Sequence, residues 1–286
     1  MISFLFDKHD NLLYILGLVY FPLLYAAVHG LLSRLLPPRY ADAYALTLSM
    51  RLVGSLQSLA ACVCGFRIVW SCRGDVMNDG CWLTNAFAKF CTCYFFVDLY
   101  VMYLSFVELK RSRVSEKKEP HAREPNVGFI DRTTIGDDAR DFFAENKLMT
   151  FHHLVLPVVF VPCVVMRDGR GDFFIGALYL VEASNPLVNL RAVLRLLECH
   201  RTQLYFINGV AMMVVFFLCR IAIFPFLYCA YATYAGISVI AVPTAIPLKC
   251  NFGCLLLLSM QCYWFVKMVA GMMRILRSHF GRTRGA

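Results

Sequence analysis

The chain has 286 residues, of which 59% are hydrophobic and only 16% are charged, and its mean hydropathy is +0.60. A soluble domain of this length does not need so apolar a composition, so the sequence predicts an integral membrane protein. The formal net charge is +9. We interpret the basic excess as a topology signal rather than a nucleic-acid interface, because the basic residues concentrate in loops on one side of the predicted spans.

Seven apolar stretches are long enough to cross a bilayer as helices, which takes roughly 20 residues each. In chain order they are 11–32, 43–70, 83–107, 147–166, 172–197, 203–231 and 250–275. The first is too long for the apolar core of a signal peptide, so we expect it to remain as a helix. The sequence therefore predicts an all-α integral membrane protein with about seven transmembrane helices.

The basic loops also predict the orientation. The loop from Lys110 to Lys147 carries nine basic residues and falls on the same side as the arginines near the C-terminus. We therefore predict an extracytosolic N-terminus and a cytosolic C-terminus. The predicted organisation is an N-terminal span with a short connection (1–42), a main membrane domain (43–275) and a basic cytosolic tail (276–286). Within the main domain, segment 108–146 is too polar to form a core, and we expect a helix near its end, at "DDARDFFAEN".

Most of the thirteen cysteines fall inside the predicted spans, where they pack as small apolar groups. Cys72 and Cys81 share a short extracytosolic loop, where an oxidising lumen permits a disulfide bridge. No Cys/His spacing typical of a zinc site occurs, so no metal is predicted.

Ionisable side chains are costly at membrane depth and are therefore candidates for function. One interpretation is that acids and bases pair merely to make burial tolerable. The other is that they line a polar cavity. The candidates within the spans are Arg51, Asp98, His152, His153, Glu182, Arg220 and Lys267.

The fifth span favours a cavity, because Glu182, Asn185 and Asn189 recur at spacings of three and four and share one helical face. Pro186 also removes the backbone donor that would bond the carbonyl of Glu182.

The fourth span carries the same kind of signal. Pro157 frees the carbonyl of His153, which lies about 9 Å of helix beyond Lys147 and so just below the cytosolic surface. We predict that the two histidines, Asp98, Glu182 and Asn185 converge on one cavity.

Several segments resemble a known family. The double histidine of "FHHLVLPVVF", the fifth-span "GDFFIGALYLVEASNPLVNL" and the sixth-span "CRIAIFPFLYCAY" together resemble the TLC domain of ceramide synthases, TRAM proteins and the protein altered in one neuronal ceroid lipofuscinosis. "RLVGSLQSLAA", "VPTAIPLKCN" and "QCYWF" are similar to the TLC domain-containing protein 3 subgroup. The resemblance implies six helices forming a bundle around a lipid cavity, plus one N-terminal helix.

The resemblance also carries residue roles. His152 and His153 match the family's double histidine, and Arg220 matches its arginine before Pro-Phe. Ceramide synthases continue with His-Asp-x-x-Asp, where this chain has Val181, Glu182 and Asn185. One acid is thus a longer Glu, the other is an amide, and the third histidine is absent.

The activity implied by the resemblance is transfer of an acyl group from acyl-CoA to the amine of a sphingoid base, with no other cofactor. His153 would be the base or nucleophile, and Glu182 would orient its imidazole. His152, Asp98 and Asn185 would position substrates. The remaining candidates for lipid binding are Asn189, Arg51 and Arg220.

The alternative is a non-catalytic protein that binds membrane lipid and regulates or senses its composition. Both interpretations imply membrane lipids as partners, namely acyl chains with a sphingoid base, ceramide or phospholipid, and both leave self-association open. The resemblance favours the endoplasmic reticulum, with the Golgi as the alternative. Arg191, Arg195 and Arg201 are interpreted as topology signals, with attraction of CoA phosphates as the other explanation.

Overall fold

The computed structural model describes residues 8–117, 132–167 and 169–283. These residues are nearly all helical, and no β-strand occurs among them. The helices are α1 (Lys8–Leu35), α2 (Pro38–Ser71), α3 (Trp82–Lys117), α4 (Arg132–Glu145), α5 (Lys147–Val155), α6 (Val161–Val165), α7 (Asp172–Tyr179), α8 (Asn185–Leu196), α9 (Gln203–Phe216), α10 (Ile223–Ala235), α11 (Val242–Ala245) and α12 (Leu248–Thr283). The predicted all-α class is confirmed.

Six helical stretches of the described chain are long and apolar enough to cross a membrane. They are Leu12–Leu35, Tyr44–Ser71, Trp82–Arg111, Asp172–Leu196, Gln203–Ala235 and Leu248–Arg274. They correspond to six of the seven predicted spans. The predicted fourth span differs, because its apolar helix is the shorter Lys147–Phe160.

Three stretches depart from regular α-helix, and each lies at or next to a candidate functional residue. Leu156–Phe160 is a π-helix that begins three residues after His153, and Phe217–Ile221 is a π-helix that contains Arg220. Leu180–Ser184 is a 3₁₀-helix that contains Glu182. Pro157 explains the first, because a proline lacks the N–H of the regular helical bond. π-Helical turns occur often at functional sites.

The proline after Glu182 acts differently from the prediction. The backbone N–H of Asn185 bonds the carbonyl of Glu182, which closes a 3₁₀ turn. The carbonyl that Pro186 would otherwise leave unbonded is therefore satisfied within the chain.

The chain divides into two compact units, which we describe separately. The first unit comprises Met1–Gly54 and Asn85–Met166. Its core contains Tyr25 of α1, Val53 of α2 and Val101 of α3, all nearly inaccessible to solvent. Helices α1 and α3, together with α5, hold the first group of polar residues described below.

The second unit comprises Ser55–Thr84 and Arg167–Ala286. Its core contains Ala177 of α7 with Ile223, Phe224 and Leu227 of α10. Helices α2 and α7 approach closely because both carry glycine at the contact: a Cβ added at Gly176 would lie 2.7 Å from Ile68 Cγ2. Small residues at a helix contact allow this close approach in membrane proteins.

The polar segment 108–146 is helical at its end, as predicted, because α4 covers most of "DDARDFFAEN". Lys110 of α3 forms ion pairs with two acids of this helix. Its Nζ lies 2.8 Å from Oδ1 of Asp138 and 2.6 Å from Oδ2 of Asp141. Residues 118–131 of the predicted loop lie outside the described residues. At the C-terminal end, α12 continues through Thr283, so most of the predicted tail is helical.

The candidate disulfide is not formed, because Cys72 and Cys81 are both free thiols. Cys72 is completely buried just beyond the end of α2, and burial raises the pKa of its thiol to about 11. The backbone N–H of Cys81 instead donates to Asp172 at the start of α7. Spacing in the sequence permits a bridge, but these local contacts hold each cysteine separately.

Candidate functional site

The first unit contains a buried hydrogen-bonded group that we call the His153 cluster: Tyr25, Asp98 and His153. Nε2 of His153 lies 2.7 Å from Oδ2 of Asp98, and both side chains are less than a tenth exposed. The Tyr25 hydroxyl donates to the other carboxylate oxygen, Oδ1. Arg51 of α2 interacts electrostatically with Asp98. Three helices, α1, α3 and α5, each supply one member of the cluster.

The hydrogen bonds of His153 determine where its protons lie. Nδ1 lies 2.9 Å from the carbonyl oxygen of Met149. A carbonyl only accepts hydrogen bonds, so Nδ1 carries a proton. The short contact between Nε2 and Oδ2 of Asp98 then requires one further proton between them, on the ring or on the carboxyl. Both ring nitrogens are therefore engaged, and the pair with its shared proton has no net charge.

The carboxylate that orients His153 is Asp98, whereas the resemblance to ceramide synthases assigns that role to Glu182. His152 is half-buried, and its ring lies edge-to-face with that of His153, with centroids 5.7 Å apart. Of the two histidines, His152 is thus the more accessible. The phenyl ring of Phe95 lies edge-to-face with the His153 ring, with centroids 6.0 Å apart.

The second unit contains another polar group, which we call the Glu182 cluster: Ser58, Glu182, Asn185 and Arg220. Ser58 of α2 donates to Oε2 of Glu182 at 3.2 Å, and the amide of Asn185 donates to the same oxygen. The amide oxygen of Asn185 accepts from Nη2 of Arg220 at 2.6 Å. Asn185 therefore bridges the acid and the base through the two ends of its amide.

Arg220 is buried, and its guanidinium is held by uncharged side chains. Nε donates to Ser184 at 2.8 Å, and Nη1 donates to Gln261 of α12 at 3.1 Å. The guanidinium also lies 5.1 Å from the ring centroid of Phe216, within cation–π range. Within the described parts of the chain, Arg220 and Glu182 form no direct ion pair.

The remaining candidates contact partners of other kinds. Asn189 donates to Ser55 of α2 at 3.1 Å, so all three members of the predicted fifth-span stripe are hydrogen-bonded within their own unit. Lys267 lies over the ring of Tyr263 at 5.3 Å. Simple pairing of acids with bases therefore accounts for Asp98 and His153, but not for Glu182. Convergence of the two clusters on one cavity stays a prediction.

An apolar cavity of about 430 Å³ also lies in the second unit, between the sixth span and α12. Three of its eight lining side chains are methionines, which adapt to irregular apolar guests. The lining residues are Met213, Val214, Phe217, Leu218, Phe265, Val269, Met272 and Met273. For metals, no group of three or more potential ligands is found in residues 8–117, 132–167 and 169–283.

Sequence patterns carried no strong signal for Tyr25, Ser184 and Gln261, although each hydrogen-bonds a candidate residue. Serine and tyrosine are ordinary residues of membrane helices, and a single hydroxyl has no spacing pattern. For Ser55 and Ser58 a signal existed, because their spacing of three places them on one face of α2, opposite a polar stripe.

Comparison with known proteins gives the family. The TLC domain profile matches residues 47–270, more than three quarters of the chain. Human TLC domain-containing protein 4 is 27% identical over 141 residues, which cover 49% of this chain and 52% of that protein. The chain thus spans about half the length of this curated relative. No solved structure matches the chain significantly. With a family match over most of its membrane region, the chain belongs to the TLC domain family.

Proposed function

We propose that the protein transfers an acyl group from a thioester to the amine of a membrane lipid. Acyl-CoA and a sphingoid base are the substrates implied by the resemblance to ceramide synthases. The observation that carries the proposal is the buried His153–Asp98 pair, whose imidazole is oriented at both ring nitrogens. An imidazole oriented by a carboxylate is the arrangement that acyl-transfer enzymes use to move protons.

The proton shared by Nε2 and Asp98 supports a reaction in which the pair first acts as an acid. The resting pair is an acid, because its basic sites are occupied. When the amine attacks the thioester carbonyl and the carbon–sulfur bond breaks, the pair passes its proton by way of the more accessible His152 to the departing thiolate. The attacking nitrogen then gives a proton back to the pair. The products are an amide and a free thiol, and the pair returns to its starting state.

The other members of the cluster support this exchange. Tyr25 donates a hydrogen bond to Asp98 and Arg51 interacts with it electrostatically, so both help to hold the carboxyl group beside the imidazole. His152, being more accessible than His153, is the side chain that we propose meets the substrate directly. A role for Glu182 and Asn185 in the same reaction stays a prediction.

The test is amide formation by the purified full chain, supplied with sphingosine and acyl-CoA of several chain lengths. We expect His153→Ala and Asp98→Asn each to lower the rate by about 100-fold or more, because each removes one half of the proton-transfer pair. Glu182→Gln is expected to lower it steeply if the predicted cavity is shared. His200→Ala is the matched control, because His200 is exposed and lies outside both clusters.

The second candidate function is lipid binding without catalysis. It is favoured by the engagement of both His153 ring nitrogens with protein atoms, which is also how a purely structural histidine is held. Folded wild-type protein that shows no more turnover than His153→Ala would contradict acyl transfer for these substrates. Mass spectrometry of lipids that co-purify in mild detergent would then identify what the protein binds.

A further inference from the structure

A basic group of the second unit lies outside both clusters. Arg191 and Arg195 are one helical turn apart on α8, and both contact Tyr205 of α9. Arg191 Cζ lies 4.0 Å from the Tyr205 ring centroid, and Nη1 donates to the Tyr205 carbonyl at 3.1 Å. Nη2 of Arg195 donates to the Tyr205 hydroxyl at 3.3 Å. Two guanidinium groups are therefore fixed against one buried tyrosine.

The packing around Arg191 goes beyond what a topology signal needs. A topology signal requires only positive charge, which a freely exposed side chain supplies. Arg191 is instead half-buried, and Gly209 of α9 makes room for it. A Cβ at position 209 would lie 3.2 Å from Cζ of Arg191 and would overlap Nη1.

The two positive charges lie close together on α8. Like charges four residues apart on a helix repel each other. Within the described chain neither arginine forms an ion pair, and Glu198, the nearest acid along the sequence, lies beyond the end of α8 in a left-handed conformation with φ of 59°. An anion bound between the two guanidinium groups would remove the repulsion.

We propose that Arg191, Arg195 and Tyr205 form a binding site for a phosphate group. Guanidinium groups hold phosphate by paired, charge-assisted hydrogen bonds, and the stacked geometry over Tyr205 orients the planar donor in advance. The site lies where the fifth span ends. A phosphate there belongs either to the headgroup of an anionic phospholipid or to CoA. In the second case the site would hold the acyl donor of the proposed reaction, and the inference then rests on that proposal.

The test measures binding rather than turnover, so its outcome is separate from that of the acyl-transfer assay. The full chain is placed in phosphatidylcholine nanodiscs. One arm measures the Kd for CoA. The other incorporates phosphatidic acid and measures its retention relative to phosphatidylcholine by native mass spectrometry. The variants are Arg195→Gln and the double variant Arg191→Gln/Arg195→Gln. The matched control is Arg201→Gln, which removes the same charge from an exposed arginine nearby in the chain.

We expect Arg195→Gln to weaken binding of one probe by about tenfold, the usual effect of losing a charge-assisted hydrogen bond. Loss confined to CoA assigns the site to CoA, and loss confined to phosphatidic acid assigns it to a lipid headgroup. Unchanged binding of both probes overturns the proposal, as does an equal loss in Arg201→Gln, which would indicate diffuse surface charge. If the double variant fails to fold, Arg195→Gln alone decides, because Arg195 is exposed and contributes little packing.

Discussion

One phenolic hydroxyl completes the hydrogen bonding of Asp98. Without Tyr25, Oδ1 of a carboxylate that is only 6% exposed would lose its donor, and water is scarce at such a position. An acid at membrane depth is costly even when it is paired. The Tyr25 side chain is therefore as much a part of the His153 cluster as the histidine itself.

Tyr25→Phe should consequently destabilise the protein by about 2 kcal/mol, because it removes a hydrogen bond to a charged group and leaves that group buried. The measurement is the free energy of unfolding in mixed micelles. Tyr20→Phe is the matched control on the same helix, since Tyr20 is half exposed and makes ring contacts with Phe21 and Phe90. Equal losses in the two variants would mean that the hydroxyl of Tyr25 has no special role.

Asn185 and Asn189 offer a second comparison at the residue scale. Asn185→Ala separates Glu182 from Arg220 and leaves a buried guanidinium short of an acceptor, so we expect a loss of about 3 kcal/mol. Asn189→Ala removes one neutral bond to Ser55 and should cost about 1 kcal/mol. Melting of the two purified variants measures the difference. A smaller loss for Asn185→Ala would contradict the bridging role.

At the scale of helices, the departures from regular α-helix coincide with the polar residues. The two prolines that the sequence offers as signals, Pro157 and Pro186, follow His153 and Glu182 and mark two of the three irregular stretches. The third, Phe217–Ile221, contains no proline. Pro225 follows Ile221 by four residues and lacks the N–H that would bond its carbonyl. The hydrogen bonds from Arg220 within this turn to Ser184, Asn185 and Gln261 join residues that are distant in sequence, so local sequence cannot predict them.

The close contact of α2 with α7 gives a prediction for glycine. Gly176→Ala should destabilise the protein by about 2 kcal/mol, because the new methyl group would overlap Ile68. Gly253→Ala is the control within α12, where a Cβ meets no atom within 4 Å. There the substitution should be neutral or stabilising, since alanine favours helix over glycine. The thermal unfolding midpoints of the two variants distinguish these outcomes. Equal midpoints would show that moving α2 away from α7 does not lower the stability of the protein.

For the whole molecule, composition and hydrophobic length were sufficient to predict an all-α membrane protein and six of its spans. The fourth predicted span is less regular, because a π-helix interrupts residues 147–165. The 19 residues of this stretch still give about 28 Å of helix, close to the roughly 30 Å of a bilayer core. Which acid pairs with which base could not be predicted, since hydropathy carries no information about helix neighbours.

The sides of the membrane on which the two chain ends lie test whether residues 147–165 cross it. If they do, the chain has an odd number of spans, and tags at the two ends should be accessible from opposite sides after selective permeabilisation. We expect the C-terminal tag in the cytosol, because the basic loops lie on that side. Both tags on one side would show that one predicted span, first of all 147–166, does not cross.

The order of partners around Asp98 has a consequence for synthesis on the ribosome. Tyr25 precedes Asp98 by 73 residues, whereas His153 follows it by 55. A membrane-inserted chain made at about 5–20 residues per second therefore holds Asp98 for roughly 3–11 s before its histidine exists. During that interval Tyr25 and Arg51 have already been synthesised, because both precede Asp98 in the sequence. The first helix thus supplies a hydrogen-bond donor for Asp98 before the helix that carries His153 is made.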